Sequence, residues 1–442
     1  MYGNFNVGGT SRRVKRTAKV VAAAAIGSVF LAACGSASST SSSGGSATTS
    51  AANCPKQVKV GVLAPLTGFG AAFGVPQANG AVMVADAINA AGGIKELCGA
   101  KIDPIVVDTQ SSATVAAQEL RQLKSEGVSA FVGPVLSTSV VANKPLIESL
   151  GIPDFNGAGD LSTTQNNVNG WIFRTSSITA NSGTETLDFV KYLQSQGKLN
   201  GLKRVALLDT TVPPGSSLQP VLEAGLQQLG IQVTNITYDP TQTNNWPSMI
   251  AKMASANVQL IMGFQEPPDA IQLAQAMSAQ SWRPQFGLFS TAGGEFLQSF
   301  RKAAGSVADG WAVTAFASNL NDTNIYTPQT AALAAQFEAK YGQTMEGSSA
   351  TVGTTNMAIV ADAIGLAKST DPAKIAAAAR KLDFSNPKQS EYPYYMTPGG
   401  VKFDANQNNT KLVTPIIQWN NSGGFNTIYP QDIANASVLP PL

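Results

Sequence analysis

The stretch Val58-Lys59-Val60-Gly61-Val62-Leu63-Ala64-Pro65-Leu66-Thr67-Gly68 decides the fold. Apart from Lys59, its first seven residues are apolar or small, without the alternation of a half-buried strand. Such a run, stopped by proline and glycine, reads as a strand covered on both faces, which a parallel sheet requires. The same unit recurs. Strand patterns at 101–108 and 130–133 alternate with helical patterns at 76–90, 116–125 and 140–150. The series restarts with strands at 204–209, 231–237, 258–264 and 285–289 and helices at 218–229, 246–256 and 270–279. A strand at 311–316, helices at 328–341, 354–368 and 372–381, a Tyr/Pro/Gly-rich segment at 392–403 and a last strand at 413–419 follow. Repeated βαβ units predict an α/β fold of doubly wound parallel sheets. Two series divided near Arg174 predict two lobes, and the chain is longer than one core usually serves.

The amino end reads differently. Arg12, Arg13, Lys15, Arg16 and Lys19 form a basic stretch, and 20–33 is small, apolar and uncharged. This is the order of an export signal, and its apolar run is shorter than the ~20 residues of a spanning helix. It closes on Leu31-Ala32-Ala33-Cys34, which resembles the lipobox of bacterial lipoproteins. That resemblance implies cleavage before Cys34 and lipidation of its thiol. Ser11-Arg12-Arg13 leaves twin-arginine export open beside ordinary secretion. Residues 34–54, mostly Ser, Gly, Ala and Thr, are too polar to order themselves and predict a flexible tether.

Charge and cysteine count narrow the function. The chain carries 29 Lys+Arg against 27 Asp+Glu. Five of the cations and none of the acids precede Cys34, so the mature chain has 24 against 27, a net charge of −3. No basic face argues for nucleic acid. There is no histidine, which removes His-based triads and most zinc sites, and no metal or cofactor is implied. With Cys34 lipidated, Cys54 and Cys98 remain. An even pair in an exported chain implies a disulfide, with two free thiols as the alternative. Each cysteine precedes a strand, so adjacent parallel strands would bring both to one sheet edge.

Ligands of open α/β sheets bind beyond the carboxyl ends of the strands. After the first strand comes Pro65 to Gly74, and after the third Gly133-Pro134-Val135-Leu136-Ser137-Thr138-Ser139. Ser137 and Ser139 stand where a helix begins, suited to capping it, to gripping an anion, or both. Gly68-x-Gly70-x-x-x-Gly74, with Asp108 ending the second strand, approaches a dinucleotide fingerprint, but its spacing is wrong and no catalytic partner accompanies it. Ser385-Asn386-Pro387-Lys388 has Ser-x-x-Lys spacing, yet its proline falls where that motif needs a helix. The chain is expected not to be an enzyme.

The segment 58–68, Asp86-Ala87-Ile88-Asn89-Ala90-Ala91-Gly92-Gly93-Ile94, Phe131-Val132-Gly133-Pro134, Trp171-Ile172-Phe173-Arg174-Thr175, Ala308-Asp309-Gly310 and Thr397-Pro398-Gly399-Gly400-Val401-Lys402-Phe403-Asp404 point to one family. Together they resemble type 1 periplasmic binding proteins, in the branch that binds Leu, Ile and Val for ABC transporters. The resemblance runs from about 56 to 421. It implies two similar lobes joined by three crossovers, here near Thr175, near Ala315 and within 395–403. The lobes become 55–175 plus 316–394 and 176–315 plus 395–425, with 426–442 left as a tail. The site implied comprises Phe73, Val135, Leu136, Ser137, Thr138, Gly157, Asp160, Phe264, Gln265 and Thr291.

Three places depart from the family pattern. Asn156-Gly157-Ala158-Gly159-Asp160 lacks the usual hydroxyl, Val212-Pro213-Pro214 replaces an aromatic, and Phe289-Ser290-Thr291-Ala292 lacks the acid that pairs with an α-ammonium. The expected ligand has a carboxylate or similar acceptor at the Ser137 loop and a partly apolar body against Phe73 and Phe264. Asp160 or Glu266 takes any cationic end, unless each is a solvated loop acid. The expected role is that of a monomeric, lipid-anchored solute-binding protein serving an ABC permease on the outer face of the membrane. The alternative is a sensor reporting to a membrane signalling partner.

Overall fold

The computed structural model describes residues 54–442, apart from Ser177, Ile178, Thr243 and Ala292. The export signal, Cys34 and the tether to residue 53 lie outside the described residues.

The first half builds β1 (Gln57–Ala64), α1 (Ala71–Ala90), β2 (Lys101–Asp108), α2 (Ala113–Ser125), β3 (Ala130–Val132), α3 (Ser137–Leu150), β4 (Asp154–Asn156) and β5 (Ile172–Arg174). These strands form one sheet in the order β2-β1-β3-β4-β5, and all its pairings are parallel. The chain continues with α4 (Thr179–Ser195), β6 (Arg204–Thr210), α5 (Gly215–Gln228), β7 (Gln232–Tyr238), α6 (Trp246–Ser255), β8 (Leu260–Gly263), α7 (Pro267–Ala279), β9 (Leu288–Ser290), α8 (Gln298–Ala304) and β10 (Ala312–Thr314). Strands β7-β6-β8-β9-β10 repeat the parallel order of the first sheet. Then come α9 (Pro328–Tyr341), α10 (Ala350–Ala367), α11 (Pro372–Ala379), β11 (Asp383–Phe384), β12 (Val401–Lys402), β13 (Ile416–Trp419) and β14 (Phe425–Tyr429).

Each sheet is covered on both faces, as its apolar strands demand. In the first lobe Val60 and Val62 of β1 pack against α1 and α10 on one side. Leu63 and Phe131 pack against Leu120 and Leu123 of α2 and Val140 and Ile147 of α3 on the other. In the second lobe Ala206 and Leu208 face α6, α7 and α8, while Val205 and Leu207 face α4 and α5. Local signals set several helix starts. Ser112, Asn245, Thr327 and Asp371 each accept a first-turn N–H, and Pro247, Pro328 and Pro372 follow at the start of three of them. At the end of α1, Gly92 and Gly93 take φ of 116° and 85°, and a Cβ on Gly93 would meet the Gly99 carbonyl oxygen at 2.4 Å. That turn brings Cys98 to Cys54, and the two form a disulfide across the β1–β2 edge.

Several sequence expectations need correction. Helix α1 begins at Ala71 and carries Pro76 inside it, rather than starting there. Helix α4 and strands β4 and β5 had no counterpart in the periodicity reading. The strands are three residues each, too short to show a period, and α4 opens on Thr, Asn, Ser and Gly. The third crossing is not within 395–403. Tyr395, Met396, Val401 and Phe403 are buried in the first lobe's core, and Tyr395 packs edge-on against Phe384 at 5.4 Å. A bridge between Gly399 and Leu412 turns the chain back before it enters the second sheet at β13. Nor is 426–442 a tail. β14 pairs antiparallel with β13, Gln418 donates to the Leu439 carbonyl at 2.8 Å, and Leu442 is buried. The hairpin seals the edge of a sheet that would otherwise end at β10.

Helices α1 and α10 meet backbone to backbone. A Cβ on Gly353 would lie 1.9 Å from the Gln77 carbonyl oxygen, and one on Gly80 would lie 2.3 Å from that of Ala350. No side-chain rotation relieves either clash. Gly353→Ala is therefore expected to cost about 1–3 kcal/mol in urea denaturation. Gly424→Ala, where the nearest atom is 3.6 Å away, serves as the control and should leave the midpoint in place.

Candidate ligand-binding cleft

The carboxyl ends of both sheets open onto one cavity of about 100 Å³, several times the space a single water needs. The first lobe contributes Phe69 and Phe73 after β1, Val135 to Thr138 after β3, and Gly157 and Gly159 after β4. The second contributes Val212 to Pro214 after β6, Phe264 and Glu266 after β8, and Thr291 after β9. Chain crossings close the back, through Thr175 and Ser176, Thr314 to Phe316, and Leu412 to Thr414.

The first loop is held by an acid. Asp108, at the end of β2, accepts from the Leu66 and Thr67 amides at 2.9 and 3.2 Å and from the Thr67 hydroxyl at 2.8 Å. Its carboxylate is occupied by these bonds, which disposes of the ribose reading of the glycine-rich loop. Ser111 accepts from the Gly70 amide at 3.0 Å and donates to the Thr67 carbonyl at 2.8 Å. In the second lobe Asp209 does comparable work, accepting from the Phe264 amide at 2.8 Å.

Ser137 and Thr138 open α3, where amides lack partners within the helix. The Ser137 oxygen accepts from the Asp160 amide at 3.2 Å, which leaves its own proton free to turn toward the cavity. Asp160 itself caps the turn Leu161–Thr163, accepting from the Ser162 amide at 2.8 Å. It also accepts from the Ser217 hydroxyl on α5, a bond that crosses between the lobes. A second crossing contact is aromatic, since the Phe73 ring stacks on Phe296 with centroids 6.0 Å apart. Arg174, fully buried at the end of β5, ties the Asp160 loop to the last crossing. Its guanidinium donates to the Asp160 carbonyl at 2.7 Å and to the Asn408 side-chain oxygen at 3.1 Å from Nε. Burial pulls its pKa down to about 9, against the opposing pull of Asp160 and Asp404.

The second lobe's wall is backed by buried acids. Burial raises the carboxyls of Asp209, Glu266 and Glu295 to about 8 each. Asp269 and Glu295 push Glu266 further in the same direction. Ser290 donates to Glu295 at 2.8 Å, but one oxygen of Glu266 finds no hydrogen-bond partner.

Eight of the ten residues expected at the site line the cavity: Phe73, Val135, Leu136, Ser137, Thr138, Gly157, Phe264 and Thr291. Two do not. The Asp160 side chain turns to its own loop and to Ser217. The Gln265 side chain turns away to the Leu208 carbonyl at 2.5 Å, because the strand-end alternation that aims Phe264 inward aims its neighbour outward. Sequence reasoning missed Phe69, Phe316 and Ser182, the last on α4; it placed crossings near Thr175 and Ala315 but not the one at Leu412 to Thr414, and gave none of them a place in the cavity wall. The Pro213-Pro214 segment, noted for its lack of an aromatic, does line the cavity.

The model of one family, described as periplasmic binding protein, matches residues 57–424. The chain belongs to the periplasmic binding protein family. It is 24% identical over 388 residues to Leu/Ile/Val-binding protein homolog 8 of Brucella abortus (strain 2308), covering 86% of this chain and 92% of that protein. Its fold is similar to that of the leucine-binding protein LivK from Thermotoga maritima MSB8, with a TM-score of 0.70, 20% identity, and coverage of 85% and 100% of the two chains. It is also similar to that of the branched-chain amino acid transporter substrate-binding protein LivJ from Streptococcus pneumoniae, solved with isoleucine, at a TM-score of 0.68, 21% identity, and coverage of 85% and 100%. The family implies an extracytoplasmic protein, and the relatives are named as binding proteins rather than enzymes.

The buried acids give the family fold here a pH signature. In the unfolded chain these carboxyls lose their protons near their ordinary values of 3.8 and 4.5, whereas Asp209, Glu266 and Glu295 keep theirs in the fold to about 8. Between those limits the folded state holds more protons, so stability falls as pH rises. Calorimetry on the unliganded domain should give a melting temperature that declines from pH 5 to pH 8. Glu295→Gln should flatten that decline.

Proposed function

We propose that this protein is a lipid-anchored solute-binding protein of an ABC importer, which traps a small ligand between its lobes and hands it to a membrane permease. The observation that carries the reading is the shared cavity, lined by the strand ends of two separate parallel sheets with chain crossings between them. A site divided in this way closes by hinge motion and encloses what it binds.

The ligand has a hydrogen-bond acceptor at the start of α3, where the Ser137 hydroxyl and the first amides of the helix meet it. Phe73, Val135, Leu136 and Phe264 receive its apolar body. Val212-Pro213-Pro214 supports a ligand other than leucine or isoleucine, because rigid aliphatic rings stand where the family resemblance expects an aromatic. Anchoring through Cys34 keeps the binder near its permease, and the tract that follows is long enough to let the lobes reach it.

A thermal-shift screen of amino acids, amides, amines and carboxylates on residues 55–442 tests this reading. A true ligand at 100 times its Kd adds about 2.7 kcal/mol to stability. Ser137→Ala should weaken a carboxylate-bearing ligand by about 1 kcal/mol, roughly fivefold in Kd. A screen in which no compound moves the melting temperature would overturn the binding role. Separately, Cys34→Ser should release the protein from the membrane fraction.

A further inference from the structure

We infer that Glu266 is the counter-ion for a positively charged group, and that the cleft takes small organic cations, amines with an apolar body. The inference rests on the cleft being a ligand site and goes beyond it by naming the charge of what enters.

Glu266 is the one ionisable side chain among the described residues that line the cavity. It is 4% exposed, and its Oε2 has no hydrogen-bond partner. A buried carboxyl with an unmade bond costs stability unless something completes it. Its backbone offers no relief, since the Glu266 amide already donates to the Tyr238 hydroxyl at 3.0 Å. Both charged groups that act on it push the same way: Asp269 on α7 and Glu295 before α8 are acids. Among the described residues, no lysine or arginine lines the cavity to neutralise an anion.

The rest of the wall suits a cation. Phe69, Phe73, Phe264 and Phe316 also line the cavity, and a ring face attracts a desolvated cation as well as packing against carbon. The acid that the family resemblance expects on the loop after β9 is missing from Phe289-Ser290-Thr291. Glu266, on the neighbouring loop after β8, supplies a carboxyl from a different direction. The protein therefore does not need the ammonium to sit on the carbon that bears the ligand's acceptor.

Proton balance follows. Without ligand the Glu266 carboxyl is raised to about 8 by burial, Asp269 and Glu295, so near neutrality it is protonated. An entering ammonium keeps its own proton and favours the carboxylate, so Glu266 releases one proton to solvent on binding. Affinity for the amine then rises about tenfold per pH unit below pH 8 and levels off above it.

The test uses the mature protein and three probe families: isoamylamine, phenethylamine and cyclohexylamine, each with its alcohol and carboxylate counterpart. Calorimetric titration should show amines binding at least tenfold tighter than either counterpart, with close to one proton released at pH 7. Glu266→Gln should remove that preference, the proton release and the pH slope, while leaving the unliganded melting temperature at pH 8 equal to or above that of the parent. Glu266→Asp, which keeps the charge on a shorter arm, should restore part of the preference. If carboxylates bind as tightly as the amines, or if Glu266→Gln binds amines unchanged, Glu266 is not the counter-ion and the binding role stands. If neither these probes nor any amino acid binds, both readings fall.

Discussion

A parallel sheet lines up all its carboxyl ends along one edge. Everything that could serve as a site in this protein depends on that constraint being met twice, with the two edges turned toward each other. The loops after β1, β3 and β4 and those after β6, β8 and β9 carry the cavity's side walls. The helices between strands cover the sheet faces and leave these loops as the free ends. The cleft is thus a consequence of how both sheets are wound, before any particular side chain is considered.

Within that frame the two lobes do different electrostatic work. The first lobe presents backbone amides and hydroxyls at the start of α3, steadied by Asp108, Asp160 and Arg174 in fully used hydrogen-bond sets. The second presents buried acids whose carboxyls sit near pH 8 instead of near 4. Holding those acids neutral costs stability that grows as pH rises toward 8, and a partner that stabilises a carboxylate there recovers part of it. The Ser217–Asp160 bond and the Phe73–Phe296 stack join the walls directly, so closure of the lobes also has contacts of its own.

The placement of residues in sequence foretold part of this. Long, strongly patterned elements such as β1, β2 and α9 were legible because burial on both faces, or capping by Thr327 and Pro328, leaves a local signature. The loops after β1 and β3 were legible because glycine, proline and serine have few other reasons to cluster there. Helix α4 was not, since it opens on Thr179, Asn181, Ser182 and Gly183, which break the apolar pattern, and Ser182 lines the cleft. Gln265 and Asp160 fall outside the cavity lining for a related reason. A loop's position can be inferred from the strand before it, but which way each side chain turns depends on partners distant in the chain, Leu208 for one and Ser217 for the other.

By itself the sequence determined the α/β class, the two series of βαβ units and the family, and it left Cys54 and Cys98 as the candidate pair that the structure joins. These are local or periodic properties, written in hydrophobic runs, turn residues and short motifs. Only the tertiary structure decided where the chain crosses between lobes for the third time, that the last residues complete a sheet edge, and which acid faces the ligand space. Those outcomes are settled by which surfaces are left to bury once the sheets have formed. The fate of Tyr395, of Leu442 and of Glu266 was therefore set by neighbours that no stretch of sequence around them contains.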